Sequence, residues 1–94
     1  MELELIKAVQ SGDMEAVRHL LAKGVDVNSQ DDALRGTALM YAAAKGAADT
    51  VSLLLEAGAD IEIRNKHGRN ALMEAARGGN EHVVELLLNH GAEV

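Results

Sequence analysis

The segments TALMYAAAKG (residues 37–46) and NALMEAARGG (residues 70–79) decide the fold, because one chain contains nearly the same ten letters twice. Each segment begins with a residue that can cap a helix, Thr37 or Asn70, and continues through alanines and large apolar residues to a glycine. The two segments start 33 residues apart. The sequence therefore predicts a repeated structural unit.

Glycines recur with the same period. Six of the nine glycines form two series with spacings of 34 and 33 residues: Gly12, Gly46 and Gly79, and Gly24, Gly58 and Gly91. Glycine is favoured where a helix ends in a left-handed turn. Between Gly46 and Gly58, Val51, Leu54 and Leu55 have the i, i+3, i+4 spacing of an amphipathic helix. The same spacing recurs at the equivalent positions of the other two units. Each unit is therefore predicted to be a pair of helices.

The links between the helix pairs, residues 24–37 and 58–70, alternate apolar and polar residues and carry a glycine near the tip, Gly36 or Gly68. This pattern predicts extended β-hairpin fingers. A helix pair with one apolar stripe cannot bury it alone, so each unit needs its neighbours. The predicted fold is an all-α repeat solenoid of three stacked helix-turn-helix units linked by β-hairpin fingers.

The pattern resembles that of the ankyrin repeat family, in which a finger glycine precedes T-P-L-H-x-A-A-x-x-G and a second helix ends in L-L-L-x-x-G-A-D-V-N. The third unit matches at Gly68, Asn70, Ala71, Leu72, Met73, Ala75, Ala76, Gly79, Val83, Val84, Leu86, Leu87, Leu88, Gly91 and Ala92. The second unit matches at Thr37, Ala38, Leu39, Met40, Ala42, Ala43, Gly46, Val51, Leu53, Leu54, Leu55, Gly58, Ala59, Asp60 and Ile61.

The resemblance implies one ankyrin repeat domain over residues 1–94. Its first repeat, over about residues 2–30, is expected to be a capping unit, since its outward residues are polar: Glu2, Glu4, Lys7 and Gln10. The second and third repeats are expected over about residues 31–64 and 65–94. The third resembles an interior repeat and stops at Val94, so we expect an uncovered apolar face between Leu72 and Leu88. This face would make the chain a piece of a longer array, a short engineered array, or a protein that self-associates through it.

Composition narrows the function. Fifteen acidic residues against nine Lys and Arg give a net charge of −6, which disfavours binding to DNA and to anionic membranes. Charged residues interrupt the apolar start MELELIKAVQ, and no later run approaches transmembrane length. We therefore expect a soluble, intracellular, cytoplasmic protein without a membrane partner.

The sequence contains no pattern typical of an enzyme or a metal site. The chain has no cysteine, and His82 and His90 lie about 12 Å apart along one predicted helix, too far to share an ion. The stretch AAAKGAADT lacks the order of a phosphate-binding loop. No Ser-His-Asp arrangement is indicated. We expect no catalytic residue, no metal and no cofactor.

The resemblance implies that finger tips and the exposed side of the first helix of each unit bind another protein. The family's variable positions carried over to this chain include ten predicted partner-binding residues: Asp32, Leu34, Arg35, Tyr41, Lys45, Arg64, Lys66, His67, Arg69 and Arg77. Six of the nine Lys and Arg fall between residues 35 and 77, which predicts an acidic partner, although a solvated loop also needs charge. Aromatic and guanidinium groups dominate interface energetics, so Arg69 and Arg77 are the first candidates.

Two other functions stay open at this point. Short stretches such as LIKAVQ and GRNALMEAA resemble the ankyrin region of ribonuclease L, which implies an oligoadenylate or another phosphate ligand in the basic groove. Against it, Tyr41 is the one aromatic ring that could stack on a base. The chain could also be a minimal or engineered array with no natural partner. Separately, Asn28 occupies the finger position that asparaginyl hydroxylases modify in the family.

Overall fold

The computed structural model describes residues 3–92, which contain six helices and no strand. The helices are α1 (Leu3–Ser11), α2 (Met14–Ala22), α3 (Ala38–Lys45), α4 (Ala48–Glu56), α5 (Ala71–Arg77) and α6 (Glu81–Asn89). Each odd-numbered helix packs on the even-numbered helix that follows it. Helices α1, α3 and α5 form an inner row, and α2, α4 and α6 form an outer row. The prediction of an all-α repeat is confirmed.

The inner helices begin at the predicted caps. The Thr37 hydroxyl accepts a hydrogen bond from the Met40 amide at 3.3 Å, and the Asn70 side chain accepts one from the Met73 amide at 3.0 Å. These bonds satisfy amides that have no partner inside the helix. At the other end of α3, Gly46 has a φ of 74°, in the left-handed region that glycine enters at little cost. The repeated ten letters therefore encode both ends of a short helix.

The core is aliphatic and is centred on α3, the middle helix of the inner row. Leu39 is 1% exposed, and Ala42 and Ala43 are fully buried, because α3 is covered by α1 on one side and by α5 on the other. Small alanines let the neighbouring backbones approach closely, while each buried leucine contributes about 1.5 to 3 kcal/mol. In α5 the buried residues are Ala71 and Ala75 alone.

The predicted β-hairpin fingers are not confirmed. Finger 1 (residues 25–36) and finger 2 (residues 59–69) are loops of turns without strands. Backbone bonds close each tip: the Asp31 amide donates to the Gly36 carbonyl, and the Asn65 amide donates to the Arg69 carbonyl, both at 2.9 Å. In finger 2 the Gly68 amide also donates to the Asn65 carbonyl, at 2.9 Å. Other tip amides donate to side-chain oxygens, which compete with a strand ladder for the same donors.

Both ends of the stack expose apolar side chains, and at the first end Leu3 on α1 is 47% exposed. Glu4, Lys7 and Gln10 are exposed on α1, as predicted, whereas Glu2 and Val94 lie outside the described residues. In the third unit, Met73 and Leu88 are 38% and 40% exposed, so part of its apolar surface is uncovered. Self-association through this surface stays a prediction. None of the helices in residues 3–92 combines the length and the apolar character needed to span a bilayer.

Candidate functional site

A cleft of about 250 Å³ opens between the two finger tips and the inner helices α3 and α5. We call it the concave cleft. Five of the ten predicted partner-binding residues line it: Leu34, Tyr41, His67, Arg69 and Arg77. Its other lining residues are Gly36, Met40, Ala44, Asn65 and Glu74. Met40 is 4% exposed and forms part of an apolar floor.

Finger 1 forms one wall of the cleft through Leu34 and Gly36, and Asp31, which is outside the lining, holds this wall in place. One oxygen of its carboxylate accepts hydrogen bonds from the amides of Leu34 and Gly36, both at 3.0 Å. The other oxygen accepts a short hydrogen bond from the Tyr41 hydroxyl on α3. A Cβ atom at Gly36 would lie 2.9 Å from the Tyr41 ring, so the close approach of finger and ring requires glycine there. Tyr41 is therefore fixed in place as an apolar wall.

The pKa values of this pair follow from its geometry. Burial raises the pKa of the Asp31 carboxyl, but the hydrogen bonds from Tyr41 and from the tip amides lower it more, so it lies below its ordinary value. Burial raises the pKa of the Tyr41 hydroxyl, and the bond to Asp31 together with the charges of Asp31 and Glu74 raises it further, to about 12. Tyr41 is thus a neutral donor and Asp31 a charged acceptor at neutral pH.

Finger 2 forms the opposite wall with different chemistry. The Asn65 side-chain oxygen accepts from the amides of His67 and Arg69, at 2.9 and 3.1 Å. Its amide nitrogen donates to a Glu74 carboxylate oxygen on α5 at 2.8 Å. Asn65 thus closes its own finger and ties it to the inner helix. It does for finger 2 what Asp31 does for finger 1.

Glu74 lies between the two arginines of the cleft. Arg69 Nε is 3.3 Å from one carboxylate oxygen and Arg77 Nη1 is 3.2 Å from the other. The side chain of Glu74 is 12% exposed, against 31% for Arg69 and 59% for Arg77. One carboxylate therefore accepts three donors and orients two guanidinium groups along the cleft.

The finger tips are bonded to each other. The Lys66 amide donates to the Leu34 carbonyl at 2.9 Å. The Gln30 side-chain nitrogen donates to the carbonyls of Arg35 and Arg64, at 2.8 and 3.1 Å. The Lys66–Leu34 and Gln30–Arg64 bonds join residues more than 30 positions apart in the chain, so the two fingers form one continuous rim.

The remaining predicted residues lie outside the cleft. Asp32, Arg35, Arg64 and Lys66 are exposed on the fingers beyond its lining, and Arg35 has a positive φ of 55°. Lys45 has a different role, because its ammonium group donates to the Val9 and Gln10 carbonyls of α1, at 3.1 and 2.9 Å.

Asn28, the predicted hydroxylation site, lies at the base of finger 1. It is half-buried, and its side-chain oxygen accepts from the Asp60 amide at 2.7 Å. Hydroxylation there stays a prediction. Within residues 3–92, no three side chains of the His, Cys, Asp or Glu type come together as metal ligands.

Asn65 and Glu74 line the cleft but are not among the site residues predicted from the sequence. The internal repeat carried a signal for both: Asn65 stands 34 positions after Asp31, and Glu74 stands 33 positions after Tyr41. Comparison of the units position by position pairs these residues. The pairing shows an acid on the finger in one unit and on the helix in the next. It does not show that Asp31 contacts Tyr41 or that Asn65 contacts Glu74.

Comparisons with known proteins agree with the fold. A family model described as ankyrin repeats (3 copies) matches residues 5–94. The probable E3 ubiquitin-protein ligase XBOS32 of Oryza sativa subsp. japonica is 38% identical over 91 residues, which are 96% of this chain and 18% of that protein. The E3 ubiquitin-protein ligase XBAT32 of Arabidopsis thaliana is 36% identical over 91 residues, again 96% and 18%.

The local resemblance to a ribonuclease is also confirmed. The 2-5A-dependent ribonuclease of Mus musculus is 48% identical over 64 residues, which are 68% of this chain and 9% of that protein. The chain thus spans less than a fifth of the length of each of these three curated relatives.

Proposed function

The chain belongs to the ankyrin repeat family, and we propose that it is a non-catalytic module that binds an acidic segment of a partner protein in the concave cleft. Ankyrin repeats are generally protein-interaction modules. The observation that carries the proposal is the cleft itself, which is lined by an aromatic ring, two guanidinium groups and an apolar floor.

Rigidity of the cleft supports binding. Asp31 and Asn65 tie each finger to an inner helix, and the Lys66 amide ties the two tips together. A surface that is already ordered loses little conformational entropy when a partner binds. The walls therefore need no rearrangement before contact.

The charge distribution favours an acidic partner. The whole chain has a net charge of −6, yet basic groups are concentrated on the fingers and on α5: Arg35, Arg64, Lys66, Arg69 and Arg77. Rim charges of this kind steer an oppositely charged partner and exclude a like-charged one. The acidic residues on the rest of the molecule would repel an acidic segment, so the charge distribution also sets the orientation of that segment.

An oligoadenylate is less well matched to this site. Its phosphates would face Glu74, which lies between the two arginines of the cleft. Tyr41 is the one tyrosine of the chain, which has no Phe or Trp, and a single stacked base contributes about 1 to 3 kcal/mol. We therefore favour a protein partner.

A paired charge reversal tests the proposal. The double variant Lys66→Glu with Arg77→Glu changes two exposed residues of the concave side, and the control Arg18→Glu with Lys23→Glu makes the same charge change on exposed residues of α2 and its end. Proteins captured from a cell extract by the wild-type chain are quantified for all three baits. We expect the concave variant to lose its captured partner and the control to keep it. Equal loss, or no loss, would rule out the concave cleft as the binding surface.

A further inference from the structure

We infer that the concave cleft receives one carboxylate side chain, aspartate or glutamate, of the partner and selects it over a phosphorylated side chain. The inference rests on the proposed function and specifies the chemistry of that same site. Glu74 is the residue that sets this selectivity. It positions the two guanidinium groups and neutralises part of their charge.

Glu74 fixes the donors that a ligand would meet. Its two carboxylate oxygens accept from Asn65, Arg69 and Arg77, and the surrounding structure leaves its side chain 12% exposed. The long side chains of Arg69 and Arg77 would otherwise lose rotamer entropy when a ligand binds. Because Glu74 already holds them, a ligand gains their hydrogen bonds at a smaller entropic cost.

Donors remain for a ligand. A guanidinium group carries five N–H donors in a planar fork, and the bonds to Glu74 use one nitrogen each of Arg69 and Arg77. Both residues line the cleft, and Arg77 is 59% exposed. The volume of about 250 Å³ is below the range of sites for drug-sized ligands, so it fits a single side chain. A carboxylate suits these planar donors.

The charge of the cleft selects among anions. Among the side chains that line the cleft, Arg69, Arg77 and Glu74 leave one positive charge, which balances the single negative charge of an aspartate or glutamate. The Asp31 carboxylate lies outside this lining, behind the Tyr41 hydroxyl, and its negative charge disfavours a dianion more than a monoanion. A phosphorylated side chain carries about −1.5 to −2 at pH 7 and would lie beside the Glu74 carboxylate that shares its donors. A lysine would compete with two arginines for Glu74 and repel both. A monoanion is therefore the best match.

The test uses four capped pentapeptides that are identical except for the central residue: glutamate, glutamine, phosphoserine or lysine. Each is titrated into the whole chain, and binding is followed by the shifts of backbone amide resonances in finger 2 and α5. The wild type is compared with Glu74→Gln, which keeps the shape of the side chain and removes its charge. Arg77→Gln, at an exposed position, provides a second variant, and Arg18→Gln on α2 is its matched control.

For the wild type, we expect the glutamate peptide to bind about three to ten times more tightly than the glutamine peptide, and more tightly than the phosphoserine and lysine peptides. With Glu74→Gln, phosphoserine should become the preferred centre. With Arg77→Gln, glutamate should lose its advantage over glutamine, while Arg18→Gln should keep it. If Glu74→Gln does not fold, the Arg77→Gln comparison still decides.

Three results would overturn the inference: wild-type preference for phosphoserine, equal binding of glutamate and glutamine, or an unchanged order in the variants. These failures differ from a failure of the proposed function. If the peptides are not distinguished but the charge reversal of Lys66 and Arg77 still abolishes partner capture, the carboxylate assignment alone is wrong. If capture survives that reversal, the binding surface itself lies elsewhere.

Discussion

The two fingers of this molecule solve the same structural problem with opposite charge arrangements. In finger 1 the acid is on the finger, because the Asp31 carboxylate accepts from two tip amides and from the neutral Tyr41 on α3. In finger 2 the finger residue is the neutral Asn65, and the acid, Glu74, is on the inner helix. Both arrangements close a tip and anchor it to a helix.

The difference between the fingers decides which of them can bind a ligand through charge. In finger 1 the Asp31 carboxylate accepts hydrogen bonds from its own loop and from Tyr41. The Tyr41 ring therefore forms an apolar wall on this side of the cleft. In finger 2 the acid points toward Arg69 and Arg77 and arranges them for a ligand. In the proposed mode of binding, finger 1 is a structural wall and finger 2 a recognition wall, because the negative charge lies on the loop in the first and on the helix in the second.

The largest expected effect comes from removing the acid of finger 1. Asp31→Ala leaves two tip amides and the Tyr41 hydroxyl without their acceptor, and we expect it to lower the free energy of unfolding by about 2 kcal/mol. Because the folded-state pKa of Asp31 is lowered, its stabilising contribution is present above its ordinary pKa of 3.8 and is lost as pH falls through the folded value. The free energy of unfolding, measured with urea between neutral and acid pH, should therefore decrease less steeply at acid pH in the variant than in the wild type.

The neighbouring acid provides the control for this measurement. Asp32 is exposed on the same loop, and Asp32→Ala should change the free energy of unfolding by less than about 0.5 kcal/mol. Equal effects of the two substitutions would mean that finger 1 is not held by Asp31.

A second variant places an acid on finger 2 opposite the acid on α5. Asn65→Asp removes the amide donor to Glu74 and brings two carboxylates together, so we expect a loss of about 1.5 kcal/mol at neutral pH. Protonation at acid pH should reduce this difference from the wild type. Thermal unfolding at both pH values checks the prediction, with Asn89→Asp at the exposed end of α6 as the control. A loss that is the same at both pH values would contradict the charge argument.

A third variant measures the bond between finger 1 and α3. Tyr41→Phe removes one hydroxyl, and we expect it to cost about 1 kcal/mol at neutral pH. The raised folded-state pKa of about 12 means that the contribution of Tyr41 is complete below its ordinary value of 10.0 and is lost as pH rises from 10.0 to about 12. The variant should lack this alkaline loss of stability.

The single tyrosine makes this prediction directly measurable, because the phenolate absorbance of the folded chain reports Tyr41 alone. A titration midpoint near the ordinary value of 10.0 in the folded protein would show that the bond to Asp31 is not maintained in solution.

Local features of the fold were predictable from the sequence. Thr37, Asn70 and Gly46 act within a few residues of their own positions, so their spacing alone predicts where the inner helices begin and end. The β-hairpin prediction went beyond this local information. Alternating apolar and polar residues do not reveal that Asp31 and Asn65 would capture the tip amides in place of a strand ladder.

The candidate site was predictable only in part, because its bonds join different units. Lys45 has the charge and position of a binding residue, but the packing of the first unit on the second brings its ammonium group to the end of α1. Similarly, Arg69 and Arg77 were identified as basic groups without the acid that orients them. The i, i+3 spacing of Glu74 and Arg77 is visible in the sequence. The contacts of Glu74 with Asn65 and Arg69, however, become evident only when finger 2 and α5 are placed side by side.

The smallest expected effect on stability comes from the recognition wall of finger 2. Arg77 is 59% exposed and pairs with Glu74 at the i, i+3 spacing, so Arg77→Ala should lower the free energy of unfolding by at most about 0.5 kcal/mol. Because Asn65 and Arg69 still hold the Glu74 carboxylate, the cleft should keep its shape. Urea unfolding checks this, with Arg18→Ala on the exposed side of α2 as the control.

The same substitution should have a much larger effect on partner binding than on folding, since it removes half of the guanidinium charge that faces the cleft. A loss of stability as large as that of Asp31→Ala would show instead that Arg77 is part of the framework. The two walls would then be equivalent, and the contrast between a structural finger and a recognition finger would be wrong.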